Sequence, residues 1–106
     1  MPASRSPGRT LRISEPAAAD LSGIAAYTER VWGAAQKSRY LAEIQAALVH
    51  LRDTPAMGRT RDEIAENLRS FPVGRHVVYL RDTETTLLIV RILHQNMDPE
   101  RRLKTD

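Results

Sequence analysis

The 106-residue sequence contains no cysteine. Disulfides, thiolate nucleophiles and cysteine-ligated zinc are excluded together, and a reducing, cytoplasmic setting is expected. Aromatic residues are scarce, at 5%: one Trp, three Tyr and one Phe. So few rings do not make a row of stacking platforms for single-stranded nucleic acid. No apolar run approaches the roughly 20 residues of a membrane helix. The first residues lack the apolar core of a secretory signal, so neither insertion nor export is expected. Neither the P-loop nor the dinucleotide-binding glycine pattern occurs. His50, His76 and His94 have no acidic or histidine partner at ligand spacing, so no metal and no cofactor are expected. Ser14, Ser22, Ser38 and Ser70 sit outside any nucleophile-elbow sequence and read as structural.

What is present is arginine. Of the 16 basic residues 14 are Arg, set against 13 acidic ones, for a net charge of +3. Residues 11–56 are neutral, so the excess lies in the N-terminal segment and in residues 67–97. Arginine offers a rigid fork for carboxylate or phosphate.

Residues 1–9 are rich in Pro, Ser and Gly and are expected to be a disordered tail. One domain follows over 10–102, and 103–106 should fray. Thr10–Ile13 reads as a short strand. Ser14-Glu15-Pro16 opens a helix, because proline tolerates the first turn. Leu21, Ile24, Thr28 and Val31 are spaced three, four, three, and so are Leu41, Ile44, Leu48 and Leu51. Each set makes one stripe of a helix. With only Gly33 breaking the pattern between them, the two helices form an antiparallel hairpin that ends at Pro55 and Gly58. Thr60 and Glu63 have capping-box spacing for a further helical turn, which accounts for the Asp62-Glu63 carboxylates without acid–base chemistry. Leu68–Phe71, His76–Arg81 and Thr86–Leu93 read as strands, with turns at Pro72-Val73-Gly74 and Asp82–Thr85. Asp98-Pro99 starts a last turn. The order β-α-α-β-β-β makes this an α+β fold, with the helical hairpin on one face of a mainly antiparallel sheet.

The strands gather Arg69, Arg75, His76, Tyr79, Arg81, Arg91 and His94. Alternation puts Arg75, Val77, Tyr79 and Arg81 on one face and His76, Val78 and Leu80 on the other. Arg75, His76, Tyr79 and Arg81 are the residue types that metal-free RNA cleavage needs: a base, an acid and a cation. The plainer reading is a solvated sheet face rimmed by Tyr79.

The second half also carries a resemblance. Gly58-Arg59, then Phe71-Pro72-Val73-Gly74-Arg75-His76, then Arg91-Ile92-Leu93-His94-Gln95-Asn96-Met97-Asp98 occur in order. With Ser14-Glu15-Pro16, Tyr27 and Trp32-Gly33 ahead of them, this resembles the ParE toxins of the RelE/ParE superfamily over about residues 11–102. The resemblance implies a RelE/ParE-like fold and the toxin of a type II toxin–antitoxin module. Such a toxin is non-enzymatic, inhibits DNA gyrase, blocks replication and arrests growth; its module stabilises plasmids. The implied partner is a ParD-like antitoxin in a hetero-oligomer, with DNA met only through antitoxin or gyrase. Tyr27, Val31, Trp32, Tyr40, Arg75, Arg81 and Arg91 are then the expected antitoxin contacts, although core packing also accounts for the four apolar ones. His94, Met97, Arg101 and Arg102 are the expected target contacts. Two alternatives stay open: a RelE-like ribosome-dependent mRNA endoribonuclease using Arg75, His76, Tyr79 and Arg81, and a toxin-fold remnant that only binds an antitoxin and co-represses its operon.

Overall fold

A computed structural model describes residues 9–103. Most of the expected tail and frayed end lies outside that range. Arg9 bonds to Asp82 at 3.2 Å, and Leu103 closes the last helix. The elements are β1 (Thr10–Ile13), α1 (Glu15–Trp32), α2 (Ala34–Asp53), a 3-10 turn (Pro55–Met57), β2 (Arg59–Thr60), β3 (Leu68–Val73), β4 (His76–Asp82), β5 (Thr86–His94) and α3 (Pro99–Leu103). They build a mixed five-stranded sheet in the order β1-β5-β4-β3-β2. β1 pairs with β5 in parallel, and every other pair is antiparallel.

Local chemistry explains the boundaries. The Ser14 hydroxyl accepts from the Ala17 N–H and caps α1. The same hydroxyl donates to the Val90 carbonyl at 2.8 Å, which ties the helix start to β5. Gly33 alone joins α1 to α2; its φ of 96° is a turn a side chain would resist. The β3–β4 hairpin turns on Gly74-Arg75, with Val73 opposite His76. The turn thus falls later than Pro72-Val73-Gly74, because the strand pairing carries Pro72 and Val73 into β3 and the positive φ of Gly74 makes the corner. The 61–67 segment forms hydrogen-bonded turns and no regular helix. Thr60 is drawn into β2, and Glu63 bonds Arg61 at 2.7 Å.

Two apolar clusters sit on opposite faces of the sheet. Val78 and Leu80 point towards the helices, where Ala17, Ile24, Ile44, Leu48, Leu51, Leu87 and Ile89 complete the main core. Each fully buried Leu or Ile there contributes roughly 1.5–3 kcal/mol of transfer free energy. Tyr79 points the other way and joins Ile64, Leu68 and Leu93 beneath the 61–67 segment and α3. A bulge lies between the facing pairs: Tyr79 is opposite Arg91 and Leu80 opposite Ile89, which leaves Val90 as the extra residue.

Candidate functional site

α1 carries small residues at Ala19 and Gly23, one turn apart on its surface. No other atom would lie within 4 Å of a Cβ at Gly23. This low stretch of helix opens a cleft of about 1050 Å³ between α1, α2, the β3–β4 turn and the C-terminal end of β5. Tyr27, Trp32, Tyr40, Arg75, His76, His94 and Met97 all line it. Residues expected to meet an antitoxin and residues expected to meet a target therefore share one cavity. Tyr27 and Trp32 are 54% and 65% exposed, and neighbouring Val31 is 46% exposed. The α1 stripe read from the sequence thus stays buried only as far as Thr28, whose hydroxyl donates to the Ile24 carbonyl.

The other end of the cleft is polar. The Tyr40 hydroxyl lies 3.0 Å from the Val73 carbonyl, 3.2 Å from the Arg75 N–H and 2.6 Å from His76 Nδ1. A phenol has one proton to give. If it donates to Val73, it accepts from both Arg75 N–H and a protonated Nδ1, and every partner is satisfied. In that arrangement the neutral His76 proton is on Nδ1; with the phenol donating to Nδ1 instead it is on Nε2, and in both Nδ1 is the nitrogen that Tyr40 engages. The Tyr40 ring is tilted on His76 with centroids 5.6 Å apart, and His94 meets His76 edge-on at 5.4 Å. The Asn96 N–H donates to His94 Nδ1 at 3.1 Å. Burial pushes the His76 imidazole below its ordinary value, His94 adds to that, and Asp20 opposes it. Burial likewise raises the Tyr40 phenol, against the lowering pull of the Arg75 N–H.

Arg91 is engaged elsewhere. Its guanidinium makes a bidentate pair with Asp20 of α1 at 2.8 and 2.9 Å, and Asp20 also accepts from the Ile92 N–H. The bond to Asp20 raises the Arg91 guanidinium further. β1 ends at Ile13, opposite Ile89, so Asp20 serves as the acceptor that a longer β1 would have supplied. Tyr79 and Arg81 are not in the cleft. Tyr79 is buried on the opposite face of the sheet, near Arg61, where burial raises its phenol. Arg81, exposed and opposite Leu68, shares that face. Arg75 and His76 therefore meet Tyr40 and His94 in place of Tyr79 and Arg81. Arg101 and Arg102 are exposed on α3.

Asp20, Arg39 and Glu43 also line the cleft, although the sequence reading had not placed them there. The small residues Ala19 and Gly23, four apart on α1, are a sequence signal that could have pointed to the groove. Among the described residues no group of three His, Cys, Asp or Glu side chains is placed to hold a metal ion.

Residues 11–99 match the family model described as "ParE toxin of type II toxin-antitoxin system, parDE". The chain is 39% identical over 92 residues to Toxin ParE1 of Mycobacterium tuberculosis, covering 86% of this chain and 94% of that protein. It is 35% identical over 92 residues to Toxin ParE1 of Caulobacter vibrioides, covering 87% and 95%. A solved structure titled "Chromosomal ParDE TA system from P. aeruginosa" shares the fold, with a TM-score of 0.71 at 19% identity, covering 81% of this chain and 95% of that one.

Proposed function

The chain belongs to the ParE toxins of type II toxin–antitoxin systems, and from that membership we propose that it arrests growth in the cytoplasm by inhibiting DNA gyrase. A ParD-like antitoxin holds it inactive by laying an amphipathic segment into the cleft. The observation that carries the docking reading is the run of exposed Tyr27, Val31 and Trp32 on α1, of which Tyr27 and Trp32 line the cleft. Contiguous apolar surface of this kind marks interaction sites, and a helix in a groove is a recurring way to cover it. Such a segment, unable to bury a core alone, folds as it binds. Because His94 and Met97 line the same cleft, an occupied cleft also withholds those expected target contacts. The division of Arg75, His76, Tyr79 and Arg81 between two sheet faces speaks for a protein that acts by docking.

A second reading is favoured by one observation. The cleft brings His76, His94, Tyr40 and Arg75 together, which supplies acid, base and cation for RNA cleavage. One paired assay separates the two. Purified protein is incubated with gyrase and supercoiled plasmid, and separately with ribosomes carrying mRNA. Cleaved plasmid with intact mRNA is expected; cut mRNA with intact plasmid overturns the gyrase reading. If neither substrate changes, the chain is a binding-only relative. Expression without antitoxin should stop growth, and a co-expressed ParD-like antitoxin should restore it.

A further inference from the structure

We infer that the cleft takes its antitoxin segment with a carboxylate seated over the His76–His94 imidazole pair, and that this seating is coupled to proton uptake. The inference rests on the docking reading above and adds the chemistry of one contact.

The cleft has two unlike ends. Tyr27 and Trp32 form an apolar shelf near the tip of the helical hairpin. His76 and His94 form a polar end 5.4 Å apart at the end of the sheet. An occupant that satisfies both is amphipathic along its length, with apolar side chains on the shelf and a polar group at the imidazoles.

The surrounding charge decides the sign of that group. α1 contributes Asp20, which is already neutralised by Arg91 of β5. α2 contributes Arg39, Tyr40 and Glu43, and the β3–β4 turn contributes Arg75. Neither Arg39 nor Arg75 makes an ion pair among the described residues, and the single opposing Glu43 does not cancel both. The lining therefore carries a positive excess even with both imidazoles neutral, and a carboxylate complements it.

The protons follow from the hydrogen bonds. His76 engages Tyr40 through Nδ1, so Nε2 is its open ring nitrogen. His94 uses Nδ1 as an acceptor from the Asn96 N–H, so protonating it there breaks that bond. In the free protein the His76 ring resists charging, because it is half-buried and has His94 beside it. A carboxylate placed over the pair reverses the balance, since an opposite charge within a few ångströms favours the imidazolium. The complex then binds a proton that the free protein does not. By linkage its affinity rises as pH falls through the histidine range.

The probe is the full-length antitoxin that restores growth in the assay above. Its Kd is read by calorimetry in two buffers of unlike ionisation enthalpy, which counts protons, and by the fluorescence of Trp32, the only tryptophan. Binding is expected to tighten roughly tenfold between about pH 7.5 and about pH 6, with uptake of about one proton. His76→Asn keeps a donor near Nδ1, and His94→Asn keeps an acceptor for Asn96. The double variant should bind with no pH slope. A flat Kd in the wild type overturns the inference while the docking reading stands, and so does a slope that survives in the double variant. Absence of binding at every pH overturns both. The wild-type curve decides the matter even if a variant fails to fold.

Discussion

A methyl group on Gly74 would lie 2.6 Å from Cε1 of Tyr40 and 2.8 Å from its hydroxyl. The backbone there also has a φ of +58°, which disfavours any side chain. Gly74→Ala should therefore lower stability by about 1–3 kcal/mol, read as a lower urea midpoint, and should free the Tyr40 hydroxyl from the hairpin. Tyr40→Phe keeps the ring but removes the hydroxyl's contacts to the Val73 carbonyl, the Arg75 N–H and His76 Nδ1. A cost of about 1–2 kcal/mol is expected in the same measurement. Trp32 is the contrasting case. Its side chain is 65% exposed and contributes little to the core, so Trp32→Ser should leave stability within about 0.5 kcal/mol. The same change should weaken antitoxin binding at least roughly tenfold by calorimetry, the behaviour of an aromatic anchor. Sequence placed Tyr40 and Trp32 among the groove candidates but could not separate their roles. The hydroxyl contact of Tyr40 spans 33 positions along the chain, and helical periodicity carries no record of such pairings.

The two long helices and three long strands were legible, because each repeats its apolar residues at the period its geometry demands. β2 was not. It has two residues, and its pairing of Arg59 with Ser70 and Thr60 with Arg69 leaves no alternating pattern to read. The bulge at Val90 was equally hidden, since 87–93 is almost unbroken Leu, Ile and Val and masks its own register. That bulge matters for how α1 meets the sheet. Ser14 bonds to the Val90 carbonyl, and Asp20 binds the next two residues, Arg91 and Ile92. The first helix is thus riveted to β5 at two points about a turn and a half apart. Asp20→Asn removes the charge, weakens the bidentate pair and leaves Arg91 half-buried without its counter-ion. A loss of about 1–3 kcal/mol is expected by thermal or urea unfolding, with the α1 wall of the cleft exchanging amide protons faster.

Over the whole molecule, acid should act against the fold through His76. Burial and His94 depress its affinity for protons in the folded state, so the unfolded chain binds more protons as pH falls through the ordinary histidine range. Stability contributed by the neutral ring is present above that range and is lost below it. The urea midpoint should fall between about pH 7.5 and about pH 5.5, and His76→Asn should flatten that part of the curve. The same molecule-wide view bears on synthesis. β1 pairs with β5 in parallel, Thr10 opposite Thr86 and Ile13 opposite Ile89. β1, made before the other four strands of the sheet, must wait for β5 before it has a partner. Asp20, near the start of α1, likewise waits for Arg91 and Ile92. The cleft therefore has no floor until β5 has been made. A chain interrupted before β5 carries the helical hairpin but not the cavity. The cavity is thus a property of the chain through β5 and of nothing shorter.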